Sequence, residues 1–96
     1  MLFKKKKVNV QALTIQSIVE KFISTIKCKI MVYIEIKNNG EVILHTNKPG
    51  VLIGPEGRDI ESLERVIKKC GATKVTIKEI YYVASNYGVG YRTWVW

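Results

Sequence analysis

The residue types and spacing that could do chemistry are concentrated in residues 48–60, which read Lys-Pro-Gly-Val-Leu-Ile-Gly-Pro-Glu-Gly-Arg-Asp-Ile. Gly54 and Gly57 bracket Pro55 and Glu56. Glycine admits φ > 0 and leaves no Cβ between the backbone and an approaching chain. A helical pattern opens directly after Gly57. The N–H groups of Arg58, Asp59 and Ile60 are therefore expected to lack intrahelical partners, and the helix dipole favours an anion beside them. A phosphate group meets that description.

Other chemistry finds no such concentration. Asp59, Glu61 and Glu64 are spaced as helix-surface residues, and no nucleophile, base or metal set converges with them. Cys28 and Cys70 have no Cys or His neighbours at zinc spacing, and His45 is the only histidine. Each cysteine ends a predicted helix near its apolar face and is expected to be a small buried hydrophobe. No enzyme, metal or cofactor is expected.

The elements that must position the loop follow from periodicity. Leu13, Ile15, Ile18, Val19, Phe22, Ile23 and Ile26 recur at three- and four-residue steps, which predicts an amphipathic helix over residues 10–26, capped by Asn9 or Thr14. Residues 29–37 alternate, with Ile30, Val32, Ile34 and Ile36 on one side, and residues 41–46 alternate again with Val42 and Leu44 inward. Asn38-Asn39-Gly40 joins them as an antiparallel hairpin. Pro49 ends it. Val51, Leu52 and Ile53 read as a short helical turn, and residues 58–70 as a full helix with Ile60, Leu63, Val66, Ile67 and Cys70 as its buried stripe. Gly71 stops that helix, and residues 74–80 alternate as a third strand, parallel to the second.

Val51-Leu52-Ile53-Gly54-Pro55-Glu56-Gly57-Arg58-Asp59-Ile60 resembles the core of a KH domain, with its apolar pair, Gly-x-x-Gly loop and helix-opening Ile. His45-Thr46-Asn47-Lys48-Pro49-Gly50 is similar to the entry into that loop in the KH domain of the small-subunit ribosomal protein family, which uses the type II arrangement. The likeness covers residues 9–80 in element order and residues 42–69 in residue detail. It implies an α+β fold: a three-stranded mixed sheet packed on one face by three helices, one of them short. Residues 1–8 would form a flexible basic tail, residues 9–80 the KH-like domain, and residues 81–96 an aromatic C-terminal extension. That extension, with Tyr81, Tyr82, Tyr87, Tyr91, Trp94 and Trp96, is either an added hairpin covering the sheet or an aromatic surface for bases, a protein partner or a second copy.

By position, the resemblance sets Gly54, Pro55, Glu56 and Gly57 against the backbone of a single-stranded nucleic acid. Ile53 and Ile60 would line the floor, and Arg58, Lys48, Lys74 and Lys78 would supply charge at the rim. The ligand implied is single-stranded RNA, with DNA and ribosomal RNA as alternatives. One departure stands out. The family usually carries a basic residue between the glycines, whereas Pro55 removes a donor and Glu56 repels phosphate. The same run also resembles the cofactor loop of SPOUT-type RNA methyltransferases, but that fold needs a knotted parallel sheet and a longer chain, and the upstream hairpin argues against it. A KH-like protein-interaction or ribosome-assembly module is the remaining alternative.

Composition agrees with a polyanionic partner. The 96 residues suit one small domain, and 16 Lys and Arg against 8 Asp and Glu give a net charge of +8. Four of those charges are Lys4, Lys5, Lys6 and Lys7, an electrostatic tail that either stays solvated or touches phosphate. No stretch approaches the length of a membrane span, so a cytoplasmic protein with no membrane partner is expected.

Overall fold

The computed structural model describes residues 10–82 and 89–95; the lysine tail lies outside them. The chain runs α1 (Ala12–Ser24), β1 (Val32–Ile36), β2 (Glu41–Thr46), α2 (Pro49–Ile53), a 3₁₀ turn (Pro55–Gly57), α3 (Arg58–Lys68), β3 (Lys74–Tyr82) and β4 (Val89–Val95).

Helix α1 is shorter than its apolar pattern at both ends. Asn9 lies outside the described residues and Thr14 lies within the helix; the N-cap position is Gln11, which makes no side-chain cap. Instead the Gln11 N–H donates to Cys70 O at 2.9 Å, tying the start of α1 to the end of α3. Strand β1 begins later than its alternation because the Met31 N–H donates to the Asn47 side-chain oxygen at 2.9 Å rather than to a neighbouring strand.

The turn at residues 38–40 depends on glycine. Gly40 has φ +92, and a Cβ there would lie 2.6 Å from Gly71 O. Its carbonyl accepts the Thr73 N–H at 2.9 Å, so the β1–β2 turn docks onto the α3–β3 connection. Gly71, at φ +98, ends α3 as expected.

The sheet order is β1-β2-β3-β4. β1 and β2 are antiparallel, β2 and β3 parallel, and β3 and β4 antiparallel. The first three strands make the expected mixed sheet, with α1, α2 and α3 packed against it. Residues 89–95 add a fourth strand antiparallel to β3; the aromatic side chains expected to cover the sheet or form a binding surface lie outside the described residues. Register divides the faces, since side chains alternate along a strand. Val42, Leu44, Val75 and Ile77 are fully buried against Ile15, Val19, Leu52, Ile60 and Ile67 of the helices. Their neighbours Glu41, Ile43, His45, Lys74, Thr76 and Lys78 therefore belong to the face away from the helices.

Two expectations change. Val66 is 45% exposed, because only Ile60, Leu63 and Ile67 of α3 face the core. Cys28 is exposed, since α1 has ended before it, while Cys70 is half-buried and packs against the core.

Candidate nucleic-acid interface

The loop is built from its flanks. Pro49 occupies the first turn of α2, where its missing N–H costs nothing, and the buried Leu52 anchors that helix to the core. The Gly54 N–H closes α2 by donating to Gly50 O at 3.0 Å. Gly54 then takes φ 77 and ψ 176, a region essentially restricted to glycine. Gly57 follows at φ 76 and ψ 12, also left-handed, and Glu56 takes φ 55 and ψ 24. Glu56 is the only non-glycine residue with positive φ among the described residues.

This geometry uses up most of the donors. The Gly57 N–H donates to Gly54 O at 3.2 Å, the Arg58 N–H donates to Pro55 O, and Pro55 has none. Of the Gly-x-x-Gly residues, only Glu56 can offer a backbone N–H to a ligand. The expectation that Arg58 also presents its N–H is thus corrected: the 3₁₀ turn takes it. Carboxylates crowd the loop too. The Asp59 side chain lies against Gly54, where an added Cβ would run into its carboxylate. Glu56 Oε1 pairs with the Arg58 guanidinium at 3.1 Å, both side chains being well exposed.

The remaining candidate residues are dispersed. Ile53 is half-buried and Ile60 is fully buried in the core, so Ile60 offers no surface to a ligand. Lys48 is exposed at the N-terminal end of α2. Lys74 and Lys78 stand on the sheet face away from the helices, where Lys74 reaches Glu41 at 3.7 Å and Lys78 is paired in register with His45. Thus Ile53, Gly54, Pro55, Glu56, Gly57 and Arg58 come together at the α2–α3 junction, while Lys74 and Lys78 do not join them.

No family model, curated protein or solved structure matches the chain. The order α1-β1-β2-α2-α3-β3 is that of a type II KH domain. Strand β4 is an addition to that KH order, placed on the β3 edge.

Sequence reasoning missed a polar and aromatic network on the sheet face away from the helices. His45 Nε2 donates to Glu35 Oε1 at 3.0 Å, and the His45 ring lies 5.6 Å from that of Tyr33 at 54°. Alternation put Tyr33 and Glu35 on one side of β1, but only the cross-strand register brings His45 to them. At the other end of that face, Glu41 accepts from Thr76 Oγ1 at 3.1 Å and lies 3.6 Å from Lys37 Nζ. Burial acts to raise the Glu41 carboxyl, but the Thr76 hydrogen bond and the Lys74 and Lys37 ammonium groups outweigh it and hold it below its ordinary 4.5. Among the described residues no group of three His, Cys, Asp or Glu could hold a metal ion, and no helix is long and apolar enough to cross a membrane.

Proposed function

We propose that this KH-fold chain binds single-stranded nucleic acid, RNA first and DNA or ribosomal RNA as alternatives, across the Gly54–Gly57 loop and the adjoining half-buried Ile53. The single observation that carries the reading is the type II KH element order, which sets a Gly-x-x-Gly turn at the start of the 11-residue α3. The net charge of +8 supports it. Pro55, Glu56 and the Arg58 side chain are the exposed parts of the loop, so they meet the strand first. With so few loop donors, the attraction rests on side-chain cations, Arg58 and Lys48 foremost, with the tail lysines Lys4, Lys5, Lys6 and Lys7 as a further source.

A specific observation favours a second reading. The Asp59 carboxylate against Gly54 and the Glu56–Arg58 pair leave the loop electrostatically closed. A KH-like protein-interaction or assembly module needs no phosphate there. An NMR titration with randomised single strands of about four to six bases separates the two. Shifts at the amides of residues 53–58, with affinity falling steeply as salt rises, are the expected result; about three phosphate contacts give a log–log slope of roughly −2. Shifts that avoid those amides refute the loop-centred reading.

A further inference from the structure

At the end of the sheet opposite the turn at residues 38–40, two depressions adjoin and share Ile30 and Met31. One, of about 460 Å³, is also lined by Lys29, Asn47 and Lys48. The other, of about 430 Å³, continues over Val32, Tyr33, His45 and Ile80.

The polar groups of the first depression are donors. Asn47 commits its carbonyl oxygen to the Met31 N–H, which leaves the amide NH₂ as its remaining polar group. Lys29 and Lys48 are exposed, and among the described residues neither has a carboxylate within ion-pair distance. Two ammonium groups and an amide NH₂, with no acid in the lining, select an anion. This is the reverse of the loop, where carboxylates crowd in.

The second depression is lined largely by apolar side chains. Met31 and Tyr33 are each 69% exposed. Tyr33 is braced by the tilted His45 ring, which Glu35 in turn holds at 3.0 Å. An aromatic ring fixed in this way stacks on a partner with little loss of side-chain freedom.

We propose that this end of the sheet is a second contact surface for single-stranded nucleic acid, with a phosphate at Lys29, Asn47 and Lys48 and the adjacent base on Tyr33 and Met31. An inorganic anion uses only the first depression and an apolar segment only the second. A nucleotide, which joins a phosphate to a flat apolar ring, uses both. Lys48 is the N-cap of the five-residue α2 and the Gly-x-x-Gly loop follows its other end, about 9 Å further along the helix axis. A strand held at the loop therefore has this surface within one or two nucleotides' reach. The inference shares its ligand class with the proposed function, and of its residues only Lys48, so each can fail alone.

The test uses the full chain and fluorescein-labelled oligouridylates of about four and about eight nucleotides, followed by anisotropy at low salt. The longer strand is expected to bind at least about tenfold more tightly. Tyr33→Ala is expected to weaken the longer strand by about 5- to 100-fold, with Tyr33→Phe restoring it, as stacking requires. Lys29→Gln is expected to flatten its log–log salt slope by about 0.7. Both positions are exposed, and circular dichroism checks that the variants keep the fold. If Tyr33→Ala and Lys29→Gln leave binding of the longer strand unchanged while substitutions at Glu56 alter it, this inference is overturned and the loop reading stands. If the sheet variants weaken binding and Glu56 substitutions do nothing, the inference stands and the loop reading fails. Concentration-dependent self-association that Tyr33→Ala abolishes, without any change in oligonucleotide affinity, overturns the inference in favour of a second copy on this face.

Discussion

Reversing the charge at Glu56 tests whether phosphate comes near the loop. The Glu56 carboxylate is 79% exposed and pairs with Arg58, itself 72% exposed, at 3.1 Å. Such a pair is worth about 0–1 kcal/mol, so Glu56→Lys leaves stability nearly unchanged. Lysine in the left-handed backbone at φ 55 carries the same cost as glutamate, about 1–2 kcal/mol, which cancels in the comparison. The effect on binding is larger, for two reasons. The substitution swings two units of charge beside the strand, and it releases the Arg58 guanidinium from its partner. A unit charge about 4 Å from a phosphate in water is worth about 1 kcal/mol, less at longer range and with screening over about 8 Å in physiological salt. The sum is about 1–2 kcal/mol, or roughly 5- to 30-fold tighter binding. Anisotropy titrations of a hexanucleotide over a range of salt should also give a slope steeper by about 0.7 to 1.4, from one or two added phosphate contacts. Glu56→Gln should give about half the gain. Unchanged affinity and unchanged slope in Glu56→Lys would mean that no phosphate approaches this position, and the loop-centred account would be wrong.

Other perturbations probe the scaffold. Gly54→Ala forces a Cβ onto φ 77, ψ 176 and against the Asp59 carboxylate; that side chain can rotate away, so the loss in urea unfolding should be the backbone cost of about 1–3 kcal/mol. Gly40→Ala should cost more than Gly54→Ala, because its Cβ meets the backbone oxygen of Gly71 at 2.6 Å and the two turns must separate. Leu52→Ala should cost about 2–5 kcal/mol by the same measurement, since Leu52 is the fully buried residue of α2 in the core. Glu41 gives a pH dependence. Its folded carboxyl titrates below 4.5, so its contribution is fully present above that pH and is lost as pH falls through the lower folded value. Glu41→Gln should therefore be less stable than the native chain at neutral pH, with the difference closing in strong acid.

The parts of this fold that a sequence reveals are those governed by local periodicity. Strand β2 and the start of α3 have the bounds their patterns give, with Val42 and Leu44 inward and Ile60 and Leu63 on the buried stripe; Ile43, on the other face of β2, is buried as well. The short α2 was legible from Pro49 and the apolar triplet. What stayed hidden depends on groups brought together by tertiary structure. The burial of Ile60 was visible in the α3 stripe, but the KH resemblance also assigned it to the ligand floor, and a side chain fully enclosed by the core has no face left for a base. The Asp59 carboxylate against Gly54 is a matter of one side-chain rotamer, and the loss of the Arg58 N–H to Pro55 O follows from a 3₁₀ turn with no distinct sequence signal. Strand β4 carries Gly90 within it, a residue that weakens a strand signal, and pairs along the edge that β3 offers by continuing to Tyr82. The His45, Glu35 and Tyr33 network needs the β1–β2 register, which alternation within each strand does not supply.

On the proposed reading, the electrostatics of the two surfaces would divide the work of binding. At the α2–α3 junction, the Gly54, Gly57 and Arg58 N–H groups are satisfied within the chain and Asp59 and Glu56 face any incoming phosphate, so contact there has to come from the Glu56 N–H, from shape and from Arg58 once it exchanges partners. At the sheet end, Lys29 and Lys48 have no carboxylate to release and Tyr33 is already held, so a strand gains there without displacing an internal contact. Since each screened phosphate contact is individually weak, a chain with so poor a loop holds RNA firmly only if both surfaces act on one strand. Salt should then separate their contributions: the part lost first on raising ionic strength belongs to the lysines, and the part that persists belongs to stacking on Tyr33.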